Sequence, residues 1–248
     1  MIIAIANQKG GVAKTTCAHN LGVALAKKNK KVLLIDFDSQ ASLTISVGLE
    51  PHIIESNVVS MLKKNGKQAS KCVSELKPNL HIITSIIDLA QLEMELMTRT
   101  SREKILGNSL RDIKNEYDFI LIDCPPQLSI LTINALSCAD GVIIPVKTDY
   151  LAYRGLEQLE DTISEIKELV NPGLKHFGVI ATLFESRAKD DNEILEGLKK
   201  RYKVLGIIKR MTVAKKGIYD GLAVVEHSPS SDLALEYRRI AHSIESEV

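Results

Sequence analysis

The sequence is poor in the features that would mark a specialised class. It holds four cysteines in 248 residues, Cys17, Cys72, Cys124 and Cys138, and none stands in a Cys-x-x-Cys pair. That spacing argues against a zinc or redox motif and suits reduced cytosolic thiols. No stretch of about 18 uninterrupted apolar residues occurs, and no basic segment precedes the short apolar run at Ile2, so neither a membrane span nor a secretory leader is indicated. Neither sign of charge dominates: 32 Lys and Arg against 31 Asp and Glu leave a formal net charge of +1. No global excess therefore announces nucleic acid or a solvated acidic tail. Internal repeats, low-complexity tracts and long Pro, Gly or Ser linkers are also missing. With 45% hydrophobic residues, this is the composition of a soluble intracellular protein with an ordinary core, and one domain over 1–248 is the economical reading.

What is present is a regular alternation. Short apolar, β-branched runs recur at Ile2–Ala6, Val32–Ile35, Leu80–Ile83, Phe119–Ile122, Val142–Val146, Val179–Leu183 and Val204–Ile208. Continuous runs of this length suit strands buried on both faces of a parallel sheet. Between them, Thr15–Lys28, Ser101–Asn115, Leu151–Leu169 and Asn192–Lys200 carry apolar residues at helical spacing, and Leu233, Tyr237, Ile240, Ala241 and Ile244 form a further stripe. The pattern predicts an α/β fold, a mostly parallel central sheet with helices on both faces. Pro51–Asn79 is the least regular stretch and is expected to be helical decoration after the second strand.

The first run leads into Asn7-Gln8-Lys9-Gly10-Gly11-Val12-Ala13-Lys14-Thr15-Thr16, which opens a helix. A loop of this kind turns successive backbone N–H groups toward one point at the positive end of a helix dipole, and so binds phosphates. Lys14 would reach the β- and γ-phosphates and the Thr15 hydroxyl would coordinate Mg²⁺. The ordinary P-loop pattern is not met, because Gln8 and Ala13 stand at its two glycine positions. Two more strands end in carboxylates, in Asp36-Phe37-Asp38-Ser39-Gln40 and Asp123-Cys124-Pro125-Pro126. Each delivers a charge to the sheet edge that carries the phosphate loop, and a buried strand-end aspartate costs several kcal/mol unless paired or near a metal.

Lys-Gly-Gly-Val-x-Lys-Thr-Thr resembles the deviant Walker A loop of the ParA/MinD family of ATPases, with Ala13 where that family usually has glycine. The Asp36 and Asp123 segments resemble its switch I and its Walker B with switch II, with Ser39 where proline is usual. The resemblance extends through Pro145-Val146-Lys147-Thr148 and Gly155-Leu156, weakens past Val204, and lies nearest to the short ParA/Soj-type plasmid or chromosome partition ATPases. It implies that ATP and Mg²⁺ are the cofactors and that Lys9 through Thr16 cradle the nucleotide, with Lys9 reaching across a sandwich dimer to the partner's nucleotide. Lys9 and Lys14 would neutralise the transferring phosphoryl group, and Asp38 would orient the attacking water. Asp36 would support Asp38 or the metal shell, and Thr15, Asp123 and Asp38 would surround the metal. The implied activity is weak ATP hydrolysis by a homodimer that binds DNA non-specifically, stimulated by a ParB-like centromere-binding protein, in the cytoplasm on the nucleoid. The alternatives are a MinD-like or other cargo-positioning ATPase, or a nucleotide-gated binding module with negligible turnover.

Residues Gly197–Tyr219 hold Lys199, Lys200, Arg201, Lys203, Lys209, Arg210, Lys215 and Lys216 and no acidic residue, a charge of +8 in 23 residues that leaves the remainder at −7. On one face these side chains would form a phosphate-binding strip. A MinD-like membrane anchor is not indicated, since the last helix-length stretch carries Glu245 and Glu247 near its end; its apolar stripe is expected to pack in the core. A nitrogenase-type iron–sulfur role would need paired thiolates, and Cys138 follows Cys124 too soon. The six histidines, His19, His52, His81, His176, His227 and His242, have no metal or triad spacing.

Overall fold

The computed structural model describes residues 1–63, 69–210, 217 and 220–247. In chain order its main elements are β1 (Ile2–Ile5), α1 (Lys14–Ala26), β2 (Val32–Asp36), α2 (Ser42–Ser46), α3 (Val58–Lys63), β3 (Val73–Lys77), β4 (Leu80–Ile83), α4 (Leu89–Leu96), α5 (Ile105–Leu110) and β5 (Phe119–Asp123). There follow α6 (Ile130–Cys138), β6 (Gly141–Lys147), α7 (Tyr150–Arg154), α8 (Leu156–Leu169), β7 (Lys175–Phe184), α9 (Lys189–Arg201), β8 (Val204–Lys209), α10 (Val224–His227) and α11 (Asp232–Glu245).

The strands form one eight-stranded sheet in the order β3-β4-β2-β5-β1-β6-β7-β8. All neighbours pair in parallel except β3, which runs antiparallel to β4. Because side chains alternate across a strand, each apolar run feeds two cores. Ile2, Ala4, Leu33, Ile35, Ile120 and Ile122 pack under the helices of one face, α3, α4, α5, α6, α8 and α9. Ile3, Ile5, Val32, Leu34, Phe119 and Leu121 pack under α1, α10 and α11 on the other. The stripe Leu233, Tyr237, Ile240, Ala241 and Ile244 is buried on that second face, as its spacing predicts.

This topology sets the place of the site. From β1 the chain passes through α1 to β2 on one side, and from β5 through α6 it crosses β1 to β6 on the other. Connections diverge there, opening a crevice at the strands' C-terminal ends. Asp36, Asp123 and Ile5 stand at one register level on three adjacent strands, so both carboxylates meet the loop that leaves β1.

Three sequence expectations differ from the structure. Pro51–Asn79 is not helical throughout: Val73–Lys77 forms the antiparallel edge strand β3, and Asn79 takes φ 64° in the tight turn into β4. Its residues are half-exposed, so the run lacks the apolar signal of the buried strands. The helix expected over Ser101–Asn115 is broken into α5 flanked by 3₁₀ turns. The helix expected over Leu151–Leu169 is divided at Gly155 into α7 and α8.

Candidate functional site

The loop between β1 and α1 is tied to its neighbours by its own Asn7 and Gln8 side chains and by Thr182 of β7. Asn7, buried, donates from Nδ2 to the Pro145 carbonyl of β6 at 2.7 Å, and its Oδ1 accepts the Lys9 N–H at 2.9 Å. Gln8 Nε2 donates to the Gly155 carbonyl. From β7, the wholly buried Thr182 donates its hydroxyl to the Val12 carbonyl at 3.0 Å. Gly11 and Ala13 both take the left-handed conformation, at φ 71° and 66°. Glycine adopts it freely, whereas alanine does so at a cost of about 1–2 kcal/mol. Ala13 thus keeps the backbone form that suits a glycine without having its freedom. No side chain among the described residues caps α1, which begins at Lys14, so its first N–H groups face the loop.

Lys14 is 7% exposed. Its ammonium donates to the Lys9 carbonyl at 3.1 Å, and burial lowers its pKa against the opposing pull of Asp123, Cys124 and Asp38. The Lys9 side chain, in contrast, is exposed.

Asp123 ends β5 directly beside the start of α1. Its Oδ2 accepts the Thr15 hydroxyl at 2.7 Å, while Oδ1 is buried with no hydrogen-bond partner among the described residues. Burial first, and the nearby Asp36 second, push its pKa up to about 8. An orphaned carboxylate oxygen next to a threonine hydroxyl is a hard oxygen donor set of the kind Mg²⁺ takes, and the residues therefore fit that ion.

Asp36 is fully buried, and both its oxygens are engaged. Oδ2 accepts the Thr44 N–H and hydroxyl, each at 2.7 Å, and Oδ1 accepts the Asp38 N–H at 3.3 Å. These bonds counter the burial that raises its pKa to about 6. Thr44 in turn accepts the Ser85 N–H at 3.0 Å, tying the segment to the end of β4. Asp36 is thus built into the support of the turn that carries Asp38. Asp38 is half-buried, and its Oδ1 accepts the Gln40 N–H at 3.0 Å.

Gly10, Gly11, Ala13, Lys14, Thr15 and Asp38 share one cavity of about 400 Å³. Its far end is formed by His19, Asn20 and Leu222–Val224, which no motif announced because they reach the cavity from the helix interior and from a segment some two hundred residues away. Burial holds the His19 imidazole down to about 4, hence neutral.

The basic cluster is not gathered on one face. Lys199, Lys200 and Arg201 close α9, and Lys203 precedes β8, all at the sheet edge opposite the phosphate loop. Lys209 and Arg210 lie at the other end of β8, about 20 Å along the strand. Four of the six described cations are engaged: Lys199 with Glu196 at 2.8 Å, Arg201 with Glu157 at 3.6 Å, Lys203 with Glu247, and Arg210 with Glu185 at 2.9 Å. Lys200 and Lys209 have no ion pair among the described residues, and Lys215 and Lys216 lie outside them.

Comparisons with known proteins find relatives over nearly the whole chain. The AAA domain family matches residues 1–176. The sporulation initiation inhibitor protein Soj of Bacillus subtilis is 37% identical, over 98% of this chain and 97% of its own length. The chromosome partitioning protein ParA of Myxococcus xanthus is 39% identical over 82% of this chain and 71% of its own. Among solved structures, one named cobyrinic acid a,c-diamide synthase from Mycobacterium smegmatis, with bound ADP and magnesium, is 33% identical with a TM-score of 0.86, covering 99% of this chain and 94% of that one. No helix among the described residues is long and apolar enough to cross a membrane. A phosphate loop with two lysines, two strand-end aspartates at one register level and full-length similarity to Soj together lead to one conclusion: the chain belongs to the ParA/Soj family of deviant Walker A P-loop ATPases.

Proposed function

We propose that this protein is a partition ATPase: a weak ATP hydrolase that dimerises around Mg²⁺-ATP, binds DNA without sequence preference in that state, and releases it when a ParB-like centromere-binding partner stimulates hydrolysis. The observation that carries this reading is the convergence of Lys14, Thr15 and Asp123 at the opening of α1, in a chain similar over its length to proteins named for chromosome partitioning. The N–H groups of Gly10 through Thr16 and the Lys14 ammonium would receive the phosphates, and Thr15 and Asp123 would hold Mg²⁺. When bound, that ion would offset charge on the transferring phosphoryl group. Asp38, on the turn braced by Asp36 and Thr44, would orient the attacking water, and the exposed Lys9 is free to reach a partner's nucleotide. Leu222, Ala223 and Val224 would receive the base at the cavity's far end. For DNA, Lys200 and Lys209 are the best-supported contacts, because they need break no ion pair. The cytoplasmic, nucleoid-associated location follows from the same reading.

Hydrolysis of Mg²⁺-ATP measured alone, with random-sequence duplex DNA, and with DNA and a ParB-like protein tests the proposal. A low basal rate that rises in the last mixture is expected. A rate indistinguishable from zero in all three would contradict it and leave a nucleotide-gated binding module.

A further inference from the structure

The loop and β7 share a feature that neither motif nor family likeness explains. Two backbone positions next to one another in space take the left-handed conformation without being glycine: Ala13 at φ 66° and Leu183 at φ 55°. Leu183 sits in an irregularity at the end of β7, where pairing with β8 shifts register between Ala181 and Phe184. Bulges of this sort re-aim a neighbouring side chain. The neighbour is Thr182, wholly buried, whose hydroxyl donates to the Val12 carbonyl and whose own carbonyl accepts the Thr148 N–H at 3.2 Å.

The Val12 carbonyl belongs to the same peptide plane as the Ala13 N–H. In a trans peptide the two point in opposite directions, so a hydroxyl that holds the carbonyl toward β7 turns the N–H toward the cavity where phosphates would lie. Flipping that plane would move φ of Ala13 into the ordinary negative range and relieve its strain. It would also present a carbonyl, rather than an N–H, to the phosphates. An alanine at this position therefore favours the wrong orientation, and a glycine would not.

We propose that the Thr182 hydroxyl is a latch that holds the Val12–Ala13 peptide in its nucleotide-binding orientation, and that the alanine at position 13 is what makes the latch necessary. Thr182 is thus a positioning residue. The inference rests on the reading of this loop as an ATP site.

Calorimetric titration with ATP and Mg²⁺ tests it on the full chain and four variants. Thr182→Val should weaken binding about tenfold, the scale of one buried hydrogen bond to a carbonyl. Thr182→Ser, which keeps the hydroxyl, should stay within about twofold of the parent, and with Ala13→Gly as the reference, adding Thr182→Val should cost far less than it does in the parent, so that the glycine repairs most of the loss. Packing damage alone would not be repaired by glycine at position 13. Parent-like binding by Thr182→Val, or an unrepaired double variant, overturns the latch. Failure of the parent chain itself to bind ATP overturns the nucleotide reading and the latch with it. If the valine variant does not fold, Thr182→Ala takes its place; failure of both to fold would make the hydroxyl a folding requirement and overturn the latch.

Discussion

The phosphate loop and the basic cluster around β8 are both short in sequence, yet only the first stays together in space. The loop's residues are consecutive along one tight turn, and neighbouring strand ends pin that turn at Pro145 and Thr182, so its glycines, Lys14, Thr15 and Thr16 line a common cavity. The cations of the cluster are divided by the half-buried outer strand β8, which sends Lys203 and Lys209 to its opposite ends, and acidic neighbours engage four of the six described. A motif that occupies one turn carries its geometry with it. A charge count does not, because it says nothing about direction or about the partners that folding brings alongside.

The comparison can be broken most severely at the loop. Lys14→Ala removes the buried Lys14 ammonium from the cavity and should weaken Mg²⁺-ATP binding about 100-fold or more, measured by calorimetry. Asp38→Ala should leave ATP binding within a few fold and slow hydrolysis about 100-fold, because the residue faces the cavity but braces nothing in the loop. Rapid turnover by that variant would remove Asp38 from the water-positioning role.

A pH experiment sharpens the same contrast. In the nucleotide-free protein the folded state holds a proton on Asp123 up to about pH 8, far above the ordinary carboxylate range. A raised folded pKa means stability that is fully present below the unfolded value and is lost as pH rises toward about 8. Thermal unfolding should therefore show the parent losing stability between about pH 4 and pH 8 relative to Asp123→Asn. Added Mg²⁺ should raise the parent's Tm more at pH 8 than at pH 5, since the ion takes the place of the proton. Equal slopes for the two proteins would contradict this burial-driven shift.

The smallest effects belong to the basic cluster. Lys200→Glu and Lys209→Glu should each lower affinity for random DNA several fold, and each lost phosphate contact should flatten the dependence of log affinity on log salt by about 0.9. Lys199→Glu and Arg201→Glu should do less, because those cations already face Glu196 and Glu157. Equal losses across all four would restore the cluster to a single strip.

These contrasts also mark what the sequence made legible. Buried parallel strands and the phosphate loop were readable, since each is a local pattern of residue types. The edge strand β3 was not, because Val73–Lys77 is half-exposed and lacks the apolar continuity of the others. Asp36 could be recognised as a strand-end carboxylate, but its full engagement by Thr44 and the Asp38 N–H depends on a fold of α2 that no spacing rule encodes. Ala13 was visible as a departure from glycine. That it nonetheless keeps a left-handed backbone, and that Thr182 holds the preceding carbonyl, is a tertiary fact between residues 170 positions apart.

The central claim is that the site at α1 governs binding to DNA. Fluorescence anisotropy of a labelled random-sequence duplex, titrated with this protein plus Mg²⁺ and ATP, ADP or no nucleotide, addresses it most directly. The account predicts tight, salt-sensitive binding with ATP alone and its loss in Lys14→Ala; equal binding in all three nucleotide conditions, or binding that survives Lys14→Ala, would contradict it.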